Sequence, residues 1–76
     1  MRAVYKNPKE LATAVKDLVD LYQDDLMTFE KMAGKIIKIA EANEERFYKN
    51  GKLDNNLVNV LGEERVEFVY KALEQK

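Results

Sequence analysis

Two stretches of this chain carry apolar residues at steps of three and four, and that spacing decides the fold class. Leu11, Ala14, Val15, Leu18, Leu21 and Tyr22 form one stripe, and Phe29, Met32, Ala33, Ile36, Ile39, Ala40 and Phe47 form another. Residues spaced this way share one face of a helix, which must be buried against another element. Asn7-Pro8-Lys9-Glu10 opens the first stripe. Asn7 can accept from a free backbone N–H, Pro8 already has the φ of a first helical residue, and Glu10 stands where a capping box places its acid. Thr28 opens the second, with Met27 and Met32 spaced as a hydrophobic staple. Asn50-Gly51 reads as a C-terminal cap, because glycine tolerates a left-handed backbone. The pattern predicts helices over 8–24 and 28–49, joined by a link short enough to favour an antiparallel hairpin.

The remainder supplies a cover. Asp54 caps a short third helix carrying Leu57, Val58, Val60 and Leu61, and Gly62 ends it. Glu63 and Glu64 open a fourth at the positive end of its dipole, with Val66, Val69, Tyr70 and Leu73 as its stripe. Residues 1–6 lack helical periodicity and read as an extended arm, with Tyr5 placed to tuck over the core or to meet a second chain. Asp17, Asp20 and Asp24 lie on one flank of the first helix, and Lys31, Lys35 and Lys38 on the adjoining flank of the second. Folding about the link predicts the pairs Asp24–Lys31, Asp20–Lys35 and Asp17–Lys38. Ala12, Val19, Ile37 and Tyr48 widen the opposite, apolar side, which helices three and four must cover. The expected architecture is all-α, a compact three- to four-helix bundle forming one domain over 1–76.

Composition then limits the chemistry. The chain has no Ser, Cys, His or Trp. Ser-His and Cys-His nucleophiles and zinc sites of the usual kind are therefore impossible. A domain of this size buries only about 60% of its potential surface, and such domains rely on disulfides, metals or association. Without cysteine, association is the open route. The 13 Lys+Arg against 14 Asp+Glu leave a net charge of −1, with no basic excess for nucleic acid. The fourth helix, which would be the recognition helix of a helix-turn-helix, carries Glu63, Glu64, Glu67 and Glu74, and phosphate repels such a surface. No apolar run reaches membrane-spanning length, and the start has no signal-peptide core, so a cytoplasmic location is expected.

Two residues break the pattern. Asn43 falls on the apolar stripe of the second helix, and Phe68 points away from the stripe of the fourth. With Tyr5 they are the interface candidates, since a buried polar residue can set register between chains and aromatic residues anchor interfaces. The ordinary alternatives are a hydrogen-bonded Asn at the core's edge and a Phe wedged between layers. The lysine row Lys31, Lys35 and Lys38, and the patch Tyr48, Lys49 and Lys52 at the second helix's exit, are the anion-binding candidates. Gly34, opposite the stripe, costs up to about 1 kcal/mol against alanine, either tolerated on an exposed face or marking a close approach by a partner.

Two resemblances add context. Glu41, Glu44 and Glu45 on one helix, and Glu63, Glu64 and Glu67 on another, resemble the acidic helices of MazG-type nucleotide pyrophosphohydrolases, whose carboxylates hold magnesium. That likeness rests on Glu41, Glu44 or Glu45, Glu64 and Glu67, the last standing where that family usually has Asp. The opening Met-Arg-Ala-Val-Tyr-Lys-Asn-Pro-Lys-Glu-Leu-Ala, with Lys16-Asp17-Leu18-Val19-Asp20-Leu21-Tyr22 and the Leu61-Gly62 and Arg65 region, is similar to small uncharacterised proteins of Gram-positive bacteria and their phages. It implies a setting and no catalytic motif. The expected function is a non-enzymatic protein–protein interaction or regulatory protein without catalytic residue, metal or cofactor. It would be homo-oligomeric, a dimer being favoured, with an unidentified protein partner, and in a phage an inhibitor of a host factor. The alternatives are an oligomeric binder of a small anionic ligand such as a nucleotide, and a magnesium-dependent nucleotide pyrophosphohydrolase.

Overall fold

The computed structural model describes residues 4–75. Its elements are α1 (Pro8–Gln23), α2 (Phe29–Ala42), α3 (Glu44–Phe47), β1 (Tyr48–Lys49), β2 (Lys52–Leu53) and α4 (Asn55–Leu73). The predicted caps are made. Asn7 Oδ1 accepts from the Lys9 amide at 2.8 Å, Thr28 Oγ1 from the Lys31 amide at 3.2 Å, and Asp54 Oδ1 from the Asn56 amide at 2.9 Å. Each satisfies a first-turn donor that has no partner inside its own helix.

Both stripes face inward, half-buried where Tyr22 and Phe29 meet solvent, and Leu11, Val15, Met32, Ile36, Phe47, Leu57, Leu61 and Val69 lie at the centre of one core. Ala12 and Val19, which widen the apolar side of α1, are fully buried, and α1 packs more extensively on α4 than on α2. Gly62 interrupts α4 with φ 79° and ψ 166°. That backbone region belongs almost wholly to glycine, so the chain changes direction between 55–61 and 63–73 where the sequence places the break.

Three expectations are corrected. The second helix ends at Ala42, not 49. Asn43 Nδ2 donates to the Ile39 carbonyl at 2.7 Å, the acceptor that the Asn43 amide would take in a continuing helix. A short polar side chain competing with its own backbone ends the helix. The Asn43 carbonyl then accepts from the Arg46 and Phe47 amides, starting the single turn of α3.

Asn50-Gly51, read as a helix cap, is instead the tip of a two-stranded hairpin. Both residues have positive φ, 55° and 80°, the combination that matches a two-residue turn to the twist of its strands. The register pairs Tyr48 with Leu53 and Lys49 with Lys52, so the fold is mostly helical with a small antiparallel sheet.

The flank charges also pair differently. Asp20 binds Arg65 Nε at 2.8 Å and Lys16 Nζ at 2.9 Å, and none of the three predicted Asp–Lys pairs forms among the described residues. Arg65 arrives from α4, an element the two-helix argument left out. Of the N-terminal arm, residues 1–3 lie outside the described residues. Val4 is exposed, and Tyr5 packs against the core with its amide donating to Asn43 Oδ1 at 2.9 Å.

Candidate functional site

The most exposed large apolar side chain described is Leu26, at 72%. Its position follows from how α1 ends. The Leu26 amide donates to the Leu21 carbonyl at 2.9 Å and the Asp25 amide to the Tyr22 carbonyl at 3.1 Å, with Asp25 at φ 61°. This is a Schellman ending, with Asp25 in the left-handed position glycine usually fills. The residue after that position commonly folds back onto the helix's last turn to make an apolar contact. Leu26 is that residue, and it stands in solvent instead.

The surface around it is aromatic. Tyr22, Met27, Phe29 and Phe68 are half-buried and packed on the core. Tyr22 meets Phe29 edge-on at 5.5 Å between centroids and Phe68 at 5.6 Å. Lys71 Nζ lies 5.9 Å from the Phe68 ring centre. Tyr22, Asp25, Leu26, Met27, Thr28 and Lys31 line an open hollow at this end of the bundle. Phe68, an interface candidate from sequence, thus packs on Tyr22, which borders the same hollow as Leu26. Sequence reasoning missed Leu26 because it lies in neither stripe. The usable signal was a leucine directly after Asp24-Asp25, in a link that cannot bury it.

The other interface candidates lie elsewhere. Asn43 is buried, and its side chain ties the Tyr5 amide to the Ile39 carbonyl. Asn43 and Tyr5 therefore join the arm to the end of α2 within one chain.

The anion-binding candidates fall into two separate groups. Lys31, Lys35 and Lys38 surround Gly34 on the outer face of α2. Lys49 and Lys52 face each other across the hairpin and, with Asn50, Leu53 and Asn55, line a hollow of about 410 Å³. Tyr48 is separated from both lysines. It pairs with buried Leu53, stacks edge-on against Phe47 at 5.0 Å, and is half-buried. Burial, then Glu44 and Glu41, push its phenol above the usual value. Across the bundle, Arg65 foremost and then Lys16 hold the Asp20 carboxyl below its ordinary range.

The acidic set of the magnesium reading does not assemble. Among the described residues no group of three or more Asp or Glu stands close enough to hold a metal ion. Glu64 accepts instead from Gln23 Nε2 at 3.0 Å, linking α4 to α1. No helix of the described residues is long and apolar enough to cross a membrane.

Comparison with curated proteins and with solved structures finds no match. A family described as "Conserved hypothetical protein" matches residues 2–74, nearly the whole chain, and the chain belongs to that family.

Proposed function

We propose that this chain is a non-enzymatic protein-interaction module that engages a protein partner through the aromatic end of its bundle. The observation that carries this reading is Leu26, 72% exposed at a helix ending whose geometry ordinarily folds that residue inward. An exposed apolar side chain beside a half-buried aromatic group suits the centre of an interface, where such side chains supply most of the binding energy. The absence of Ser, Cys and His agrees with a role that lies in surfaces. The setting we propose is the cytoplasm of a Gram-positive bacterium, in the uninfected cell or during phage infection, where a domain of this size would act as a regulator or inhibitor of a host factor. The test is capture of the partner on immobilised wild-type chain, followed by calorimetry between the purified pair. Leu26→Asp should weaken that binding by about a hundredfold while leaving the circular dichroism unchanged. Equal affinity for the variant would overturn the reading.

A second reading, binding of a small anionic ligand, is favoured by the hairpin. Like charges directly opposite on paired strands destabilise the pairing, yet Lys49 faces Lys52. Five residues without a carboxylate, Lys49, Asn50, Lys52, Leu53 and Asn55, line the adjoining hollow in a chain with 14 acidic residues. Calorimetry against inorganic phosphate and a nucleotide panel checks it. Heat that disappears in Lys49→Gln/Lys52→Gln supports the reading, and no heat from any of these ligands removes it.

A further inference from the structure

Gly34 is a cost that the folded chain does not explain. It lies inside α2, exposed, and a Cβ built on it meets nothing within 4 Å. Glycine in a helix interior is less stable than alanine, and no turn, positive φ or close neighbour here requires it. Lys31, Lys35 and Lys38 surround it. Lys31 and Lys38 are exposed, and neither makes an ion pair among the described residues. A bare backbone lets another helix approach closely, and the lysines at either end of it favour a helix carrying acids at the matching spacing.

The chain carries the complementary row. Glu67 and Tyr70 on α4 and Glu74 at its C-cap, where the backbone is still helical, occupy one outer face, all exposed, with Tyr70 at 41%. Lys31 to Lys38 and Glu67 to Glu74 are both seven residue steps apart, about 10.5 Å of helix. Laid antiparallel, the two helices put Lys31 opposite Glu74 and Lys38 opposite Glu67. The same register sets Lys35 opposite the Tyr70 ring, a favourable cation–aromatic pairing, and Lys71, whose ammonium lies by Phe68, opposite Gly34, where the missing side chain leaves room for its apolar stem. In parallel, Lys35 would face Lys71 instead. We infer that a second copy of this chain docks its α4 antiparallel along the Lys31–Gly34–Lys38 face of α2. This surface adjoins the aromatic end, sharing Lys31 with the hollow there, but does not include Leu26. Because its charges lie at the surface, the association is weak and falls with salt.

Sedimentation equilibrium of the full chain over a wide concentration range, in low and high salt, tests it. Wild type should self-associate in low salt and dissociate as salt rises. Lys31→Glu/Lys38→Glu and Glu67→Lys/Glu74→Lys should each weaken association by about tenfold or more. The quadruple variant that exchanges both sets keeps the wild-type net charge and should regain it. Gly34→Leu should block association while its melting temperature holds or rises, which separates a docking defect from unfolding. Wild type that stays monomeric in low salt overturns the inference. So does association undiminished in both double variants, or a quadruple variant that remains monomeric.

Discussion

The two connections of this bundle solve the same problem in opposite ways. Residues 24–28 take the chain from α1 to α2 with backbone hydrogen bonds and the Thr28 cap, and they leave Leu26 in solvent. Residues 43–54 take it from α2 to α4 through a buried asparagine, one helical turn and a hairpin, and they bury Phe47 and Leu53. Every polar group of Asn43 is used inside the fold. Its amide reaches Ala40, its carbonyl accepts from α3, and its side chain joins the arm to Ile39. The second connection is therefore part of the core, whereas the first is surface. A connection that keeps its apolar residue outside adds little to stability, which frees that residue for recognition.

Substitutions should separate the two sharply. Asn43→Leu keeps the branched skeleton but strands the Tyr5 amide and the Ile39 carbonyl, and should cost about 3 kcal/mol in urea unfolding. A loss under half a kilocalorie would mean that the second connection is no more structural than the first. Gly51→Ala forces a side chain onto φ 80° and should cost about 1–2 kcal/mol by the same measurement.

At the first connection the effects shrink. Asp20, one turn before the link, is held below its ordinary value of 3.8 by Arg65 and then Lys16. A carboxyl depressed by folding contributes stability that is complete above its unfolded value and lost as pH falls through the lower folded value. The pair is about one-third exposed, so Asp20→Asn should cost about 0.5–1 kcal/mol at neutral pH. The variant should also lose less stability than wild type between pH 5 and the acid limit, which unfolding at several pH values would read directly. Identical pH profiles would show that this ion pair does not hold α1 to α4. Smallest of all, Leu26→Ala should change stability by less than about 0.5 kcal/mol, since the side chain gives up almost no burial. A large loss there would place Leu26 in the core's energetics and remove the reason for reading it as a binding tip.

Much of this was legible locally. Asn7, Thr28 and Asp54 cap where their side chains predict, because a cap depends on a donor two or three residues away. Gly62 breaks α4 for an equally local reason. The aromatic end was half legible: Phe68 stood out as misplaced, but Leu26 gave no periodic signal. Asn50-Gly51 was seen as punctuation and assigned to the wrong element. The same dipeptide serves a helix end and a hairpin tip, and only the early end of α2 distinguishes them.

By itself the sequence determined the helical class, the caps, the two apolar stripes, the break at Gly62 and the exclusion of Ser-His and Cys-His nucleophiles. These depend on spacing within a few residues or on side chains that are simply missing. Tertiary structure decided where α2 stops, which cation takes Asp20, and which apolar residue is left outside. Asn43 ends its helix where its side chain bridges Ile39 and an arm thirty-eight residues away, and Asp20 leaves its predicted lysine because Arg65 comes from forty-five residues downstream. A flank's charges choose their partners by which element covers that flank, and no periodicity along one helix carries that information.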